Sequence, residues 1–177
     1  MKKIIALALC LILCAFCFVA CDDKGDKGDT DNDKDKGGES SSVSVDFSVT
    51  YNSTKITLGA DAKPVISALG TAKSTSPMGN CGGQGTLTKY TYTSVEIYVL
   101  TNSAGAETVD QITLLDDTVK TDKGIVIGST KDDVTKDYGN GYSKSGETGI
   151  VYSSGNKNLK FTFRDGNVVG IDYMVIS

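Results

Sequence analysis

Ile56-Thr57-Leu58-Gly59-Ala60-Asp61-Ala62-Lys63-Pro64-Val65-Ile66-Ser67-Ala68-Leu69-Gly70 aligns without a gap on Ile125-Val126-Ile127-Gly128-Ser129-Thr130-Lys131-Asp132-Asp133-Val134-Thr135-Lys136-Asp137-Tyr138-Gly139, at a constant offset of 69 residues. Each copy reads as a short strand, a glycine, a short helix and a closing glycine. Asp61, and Ser129 or Thr130, are N-cap candidates, because a short oxygen-bearing side chain can accept from the unsatisfied N–H groups of the first turn. Pro64 falls in that first turn, where its missing N–H costs little. Gly70 and Gly139 follow the last apolar residue, as a helix-ending glycine does. Val65 and Leu69 are four apart, as are Val134 and Tyr138, so each pair shares a helix face.

Outward from these two segments the pattern changes to period two, the signature of half-buried strands. After the first copy it predicts strands at 88–93, 95–102 and 109–115, and after the second at 149–153, 158–164 and 168–176. Asp165-Gly166-Asn167 is a hairpin turn between two alternating runs. A further strand at 45–51 precedes the first copy and is expected to pair with 55–58 across Asn52-Ser53-Thr54. The predicted fold class is α+β: two tandem strand–helix–β-meander repeats, about 55–115 and 125–176, with the helices packed on one face of an antiparallel sheet. The first copy also has a longer connection at 71–87, containing Pro77, Met78 and Cys81, and a loop of that length reads as functional or mobile.

The frame apolar-x-apolar-Gly, a capping residue, Val-x-x-x-(Leu/Tyr)-Gly and a meander resembles the BamE/SmpA small lipoproteins. It also resembles the tandem-repeat β-lactamase inhibitory proteins, and is similar to uncharacterised lipoproteins of Gram-positive anaerobes. The resemblance covers 56–176, and the proline usual after the closing glycine is missing from both copies. It implies protein–protein binding through the sheet, with no chemistry.

The N-terminal segment carries its own signal. Lys2 and Lys3 precede an uncharged, apolar run from Ile4 to Cys21, and Asp22-Asp23 follow. A basic start and an apolar stretch mark a secretory signal. Phe18-Val19-Ala20-Cys21 resembles the lipobox of bacterial lipoproteins, with Phe18 in place of the usual Leu. The reading is a signal peptide at 1–20 and lipidation of Cys21; the alternative is an uncleaved anchor, since the run reaches the lower edge of spanning length. Either way the rest of the chain lies outside the membrane. Residues 22–42 hold eight acidic residues, four lysines and no apolar side chain. Such a segment cannot offset its ordering entropy and reads as a disordered acidic tether. Its alternating aspartates do not make an EF-hand: counted from Asp29, the glycine and glutamate positions hold Lys34 and Ser40. The globular domain is 43–177.

Composition excludes several functions. The chain has 177 residues, no histidine and a net charge of −4. Without histidine, Ser-His-Asp and Cys-His catalysis are out. Cys81 is the single cysteine after Cys21, so it has no disulfide partner in the domain and no imidazole to make it a thiolate. Gly79, Gly82, Gly83 and Gly85 lack the Gly-Lys-Ser/Thr of a P-loop. Asp116-Asp117 and Asp132-Asp133 read as a turn and a helix first turn, where negative charge is favoured. Arg164 is the only arginine and no basic cluster is visible, which argues against nucleic acid. No metal, cofactor or enzymatic activity is expected.

The strand phase supplies the candidate site. If Leu159, Phe161 and Phe163 face the core, then Val95, Ile97, Val99, Ile112, Leu114, Ile171 and Tyr173 do too. The other face carries Glu96, Tyr98, Gln111, Thr113, Lys160, Thr162, Arg164, Asp172 and Met174. Of these, Tyr98, Glu96, Gln111, Lys160, Arg164 and Met174 are the partner-binding candidates, with the Cys81 loop as a competing contact. The expected function is an extracytoplasmic, membrane-anchored lipoprotein on the outer face of the cell membrane. It would act as a non-enzymatic binding, inhibitor or assembly module for a protein or peptide partner. The alternative is a small-ligand or cell-wall-glycan receptor.

Overall fold

Ten strands and two helices build the domain in a computed structural model that describes residues 44–79 and 85–176. Cys21, the 22–42 tether and Cys81 lie outside the described residues. The first hairpin joins β1 (Ser48–Tyr51) to β2 (Thr54–Thr57) across Asn52 and Ser53. Both turn residues have positive φ, 49° and 62°, which matches the twist of a tight hairpin. Then follow α1 (Ala62–Leu69), β3 (Ser74–Met78), β4 (Thr86–Thr91), β5 (Val95–Thr101) and β6 (Glu107–Leu114). The second half of the chain gives α2 (Lys131–Tyr138), β7 (Ser143–Ser145), β8 (Gly149–Ser154), β9 (Lys157–Arg164) and β10 (Asn167–Val175). Strands β3 to β10 form one antiparallel sheet of eight, in the order β3-β4-β5-β6-β10-β9-β8-β7. At its centre β6 lies against β10, with Ile112 opposite Tyr173 and Leu114 opposite Ile171.

One face of this sheet is the core. Val95, Ile97, Val99, Val109, Ile112, Leu114, Leu159, Phe161, Phe163, Val168, Ile171 and Tyr173 are all buried. Phe47, Val49, Ile56 and Leu58 from the first hairpin join them in one cluster, as do Val119 and Ile125 from the connection before α2. Each such side chain contributes roughly 1.5–3 kcal/mol on leaving water.

The expected α+β class, with helices layered on the sheet in two repeats, is corrected by this architecture: the domain is mostly β. Its two helices have eight residues each, and each buries two side chains, Ala62 and Val65 in α1 and Val134 and Tyr138 in α2. Two such helices are too short to cover eight strands, so the hairpin and the connection supply much of the cover. The strand expected at 125–127 does not form either. The Ile125 carbonyl accepts from the Thr121 N–H in a turn, and the Val126 N–H donates to the Ser129 hydroxyl. Conversely, β3 and β7 were not expected. Ser-Thr-Ser-Pro-Met and Ser-Lys-Ser carry no buried alternation because they are the two edges of the sheet.

The helix ends are fixed by local chemistry. The Asp61 carboxylate accepts from the Lys63 N–H at 3.1 Å. Thr130, rather than Ser129, caps α2: its hydroxyl accepts from the Asp133 N–H at 3.1 Å while Asp133 accepts from the Thr130 N–H at 2.9 Å, a reciprocal box. The segment before each helix is bonded to the sheet. Gly59 N–H donates to Val109 O and Val109 N–H to Ala60 O; Gly128 N–H donates to Val168 O and Val168 N–H to Ser129 O. A tyrosine then reaches the glycine behind each helix. Tyr152 donates to the Gly139 carbonyl at 2.7 Å, and Tyr92 to the Gly70 carbonyl at 3.4 Å.

Candidate functional site

In an antiparallel pair, residues directly opposite one another project to the same face. On the face away from the core this register builds two adjacent rows. In the first, Thr91 lies opposite Glu96, Glu96 opposite Thr113, Thr113 opposite Asp172, and Asp172 opposite Lys160. In the second, Lys89, Tyr98, Gln111, Met174 and Asn158 follow one another across β4, β5, β6, β10 and β9. Five of the candidates, Glu96, Tyr98, Gln111, Lys160 and Met174, therefore sit together. All are half-buried by their neighbours on the sheet.

Hydrogen bonds tie the rows. Glu96 accepts from Lys89 at 3.0 Å, from the Thr91 hydroxyl at 3.0 Å and from the Tyr98 hydroxyl at 3.1 Å. Gln111 donates to the Thr113 hydroxyl at 3.1 Å, and that hydroxyl donates to Asp172 at 2.8 Å. Partial burial pulls the Glu96 carboxyl upward, but the bonds from Lys89, Thr91 and Tyr98 outweigh it and leave it below the usual carboxyl value. Burial, and then the Glu96 charge beside it, push the Tyr98 hydroxyl up to about 12. The Asn158 side-chain carbonyl is buried in the second row without a hydrogen-bond partner among the described residues.

Arg164 is not part of this patch. It lies four residues beyond Lys160 on β9, roughly 13 Å further along the strand at about 3.3 Å per residue, opposite Asn167 at the hairpin end. There it is exposed and borders a cleft of about 670 Å³ together with Lys131, Lys144, Tyr142, Phe163 and Val169. Sequence reasoning missed this cleft. Lys131 opens a helix and Lys144 stands in a polar segment, and nothing in either local pattern relates them to Arg164. The Cys81 loop candidate lies outside the described residues. A second recess of about 560 Å³ holds Asp46, Lys55, Lys120 and Asp122. It is partly self-neutralised, with Lys55 paired to Asp46 at 3.2 Å and Asp122 accepting from the Tyr138 hydroxyl.

One member of each acidic pair has a structural partner. Asp116 accepts from the Thr118 N–H at 2.9 Å and its hydroxyl at 2.6 Å, closing a turn, and Asp133 belongs to the α2 cap. Among the described residues no three acidic or cysteine side chains gather as a metal site, and no helix is long and apolar enough to cross a membrane.

No protein-family model matches the sequence, and no curated protein matches it. Among solved structures the chain is similar to an extracellular protein containing a SCP domain from Bacillus anthracis, at 15% identity and a TM-score of 0.40. The match covers 67% of this chain and 44% of that one, so it spans less than half of the neighbour's length.

Proposed function

We propose that this chain is a lipid-anchored, extracytoplasmic, non-enzymatic protein-binding module, acting as an inhibitor or assembly factor, and that the open face of its eight-stranded sheet is the contact surface. The observation that carries the reading is the pair of hydrogen-bonded rows on the face opposite the core. Side chains already held by one another lose less freedom on binding, which lowers the cost of association. Tyr98 and Met174 are residue types enriched at interfaces, and the surrounding polar groups suit a rim. The resemblance of the Gly…Val…Gly frame to BamE/SmpA lipoproteins and β-lactamase inhibitory proteins supports the same reading. Location outside the membrane follows from Lys2-Lys3, the apolar run and Phe18-Val19-Ala20-Cys21.

Two experiments test it. Labelling cells with a radioactive fatty acid should mark the wild-type chain and not Cys21→Ala; equal labelling would remove the anchor. For binding, the immobilised full chain is offered membrane-envelope extract beside Tyr98→Ala and Met174→Ala. A captured protein should be lost from both variants, each weakening binding by more than about 1 kcal/mol. Capture unaffected by both would remove the open face as the contact. A second reading, a small-ligand or glycan receptor, is favoured by the cleft beside Arg164.

A further inference from the structure

The first row of the open face holds two carboxylates, Glu96 and Asp172, with Thr113 directly between them. Their surroundings differ. Glu96 accepts from the Lys89 ammonium and from two hydroxyls. Asp172 accepts from the Thr113 hydroxyl through Oδ1, and its Oδ2 has no donor among the described residues. The register offers it a cation, because Lys160 on β9 lies directly opposite, and opposite charges so placed attract. That pair does not form: among the described residues the ion pairs are Lys55–Asp46 and Lys89–Glu96. Lys160 leans the other way, toward β8. Its Cε lies 3.5 Å from the position a Cβ would take on Gly149, which is opposite Thr162 on the same open face. Glycine leaves room there for the lysine stem.

We propose that Asp172 receives a basic side chain, an arginine or a lysine, presented by a protein partner, with the stem of that side chain lying on Met174 and Tyr98. The inference rests on the open-face reading and names what the partner brings to that face. Asp172 is half-buried and central, since β6 and β10 are the two middle strands of the sheet. A carboxylate partly withdrawn from water is weakly compensated by one hydroxyl, and a cation brought to it forms a bond roughly twice as strong as a neutral one. Met174 is two residues further along β10 on the same face, and Tyr98 shares its row on the other side of Gln111. Burial first, then Glu96, and last the Asp172 charge push the Tyr98 hydroxyl up to about 12, so ring and carboxylate are within electrostatic reach. The methylenes of a long basic side chain lie along such surface while its head reaches the charge.

The charges of the face are polarised. Lys160 leans to β8 and Arg164 stands at the hairpin end, while Lys89 is bound to Glu96. The uncompensated negative charge is therefore at the centre of the sheet. A calcium ion does not suit it, because calcium takes roughly six to eight oxygen ligands and the oxygen without a donor here is a single one.

A peptide selection tests the inference. The full chain, solubilised in detergent and immobilised, is panned with a phage-displayed library of random dodecapeptides, and retained peptides are measured singly at low ionic strength. Arginine or lysine should be enriched. Asp172→Asn, which keeps the size and the acceptor for Thr113, should weaken the enriched peptides about tenfold, as loss of a charge-assisted bond does. Replacing the basic residue of the peptide by glutamine should cost the same, and the two losses should not add. Lys160→Ala removes a like charge and should tighten binding about twofold. Thermal unfolding checks that the variants fold. The inference is overturned by an empty selection, by enrichment of uncharged or acidic peptides, or by basic peptides that bind Asp172→Asn as tightly as wild type. Uncharged peptides lost with Tyr98→Ala would sink it and leave the open-face contact standing. Basic peptides indifferent to both Tyr98→Ala and Asp172→Asn would place binding elsewhere and sink both.

Discussion

The Tyr98 hydroxyl donates a hydrogen bond at 3.1 Å to the carboxylate of Glu96, two residues earlier on the same strand. Period two puts both side chains on the open face, and Lys89 on β4 completes the group from 3.0 Å on the other side of Glu96. The tyrosine ring is thus held by its own strand, and the carboxylate by a neighbouring one.

This group should respond to acid in a defined direction. The Glu96 carboxyl is held below its ordinary 4.5 in the folded chain. Its contribution to stability is therefore complete above that ordinary value and is lost as pH falls through the lower, folded one. Urea unfolding of wild type and Glu96→Gln, measured from neutral pH downward, should give a difference that shrinks below pH 4.5. A difference that stays constant across that range would show that the ionised carboxylate does not stabilise the sheet.

The two surfaces should separate by mutation. Arg164→Ala should leave capture of the protein partner unchanged, because Arg164 stands at the hairpin end, away from the Glu96–Tyr98 rows. Tyr98→Ala should weaken capture by more than about 1 kcal/mol. Loss of partner capture in Arg164→Ala would place the contact at the hairpin end instead.

The tyrosine contacts behind the helices should differ in strength. Tyr152→Phe removes a bond of 2.7 Å to the Gly139 carbonyl and should cost about 1 kcal/mol in denaturant unfolding. Tyr92→Phe removes one of 3.4 Å to Gly70 and should cost less. Equal losses would mean that the two contacts are equally formed in solution.

Helix α2 can be loosened from its end or from its base. Thr130→Ala removes the cap and should cost about 1 kcal/mol, while Thr130→Ser should retain most of the stability. Phe161→Ala empties the position against which Tyr138 packs at 5.4 Å between ring centres, and should cost roughly 3–5 kcal/mol. Hydrogen exchange should show the first change confined to α2 and the second spread through the sheet.

The sequence by itself determined what depends on near neighbours. Apolar alternation set the inward phase of Val95, Ile97, Leu159, Phe161 and Tyr173, because strand side chains change face at every residue. Asp61, Thr130, Gly70 and Gly139 marked the helix ends, because caps are satisfied within a few residues. The tertiary structure alone decided what depends on distant partners. It made the domain mostly β: the length of each helix was legible, but not that the first hairpin and the connection at Val119 and Ile125 would cover the sheet. It placed β3 and β7 at the edges, where a strand buries no face and so leaves no alternation to read. It also parted Arg164 from Tyr98 and brought it to the cleft that Lys131 and Lys144 line. That grouping rests on the backbone bond from Lys131 to Gly166 and on the pairing of β7 with β8, contacts between segments that carry no local signal for one another.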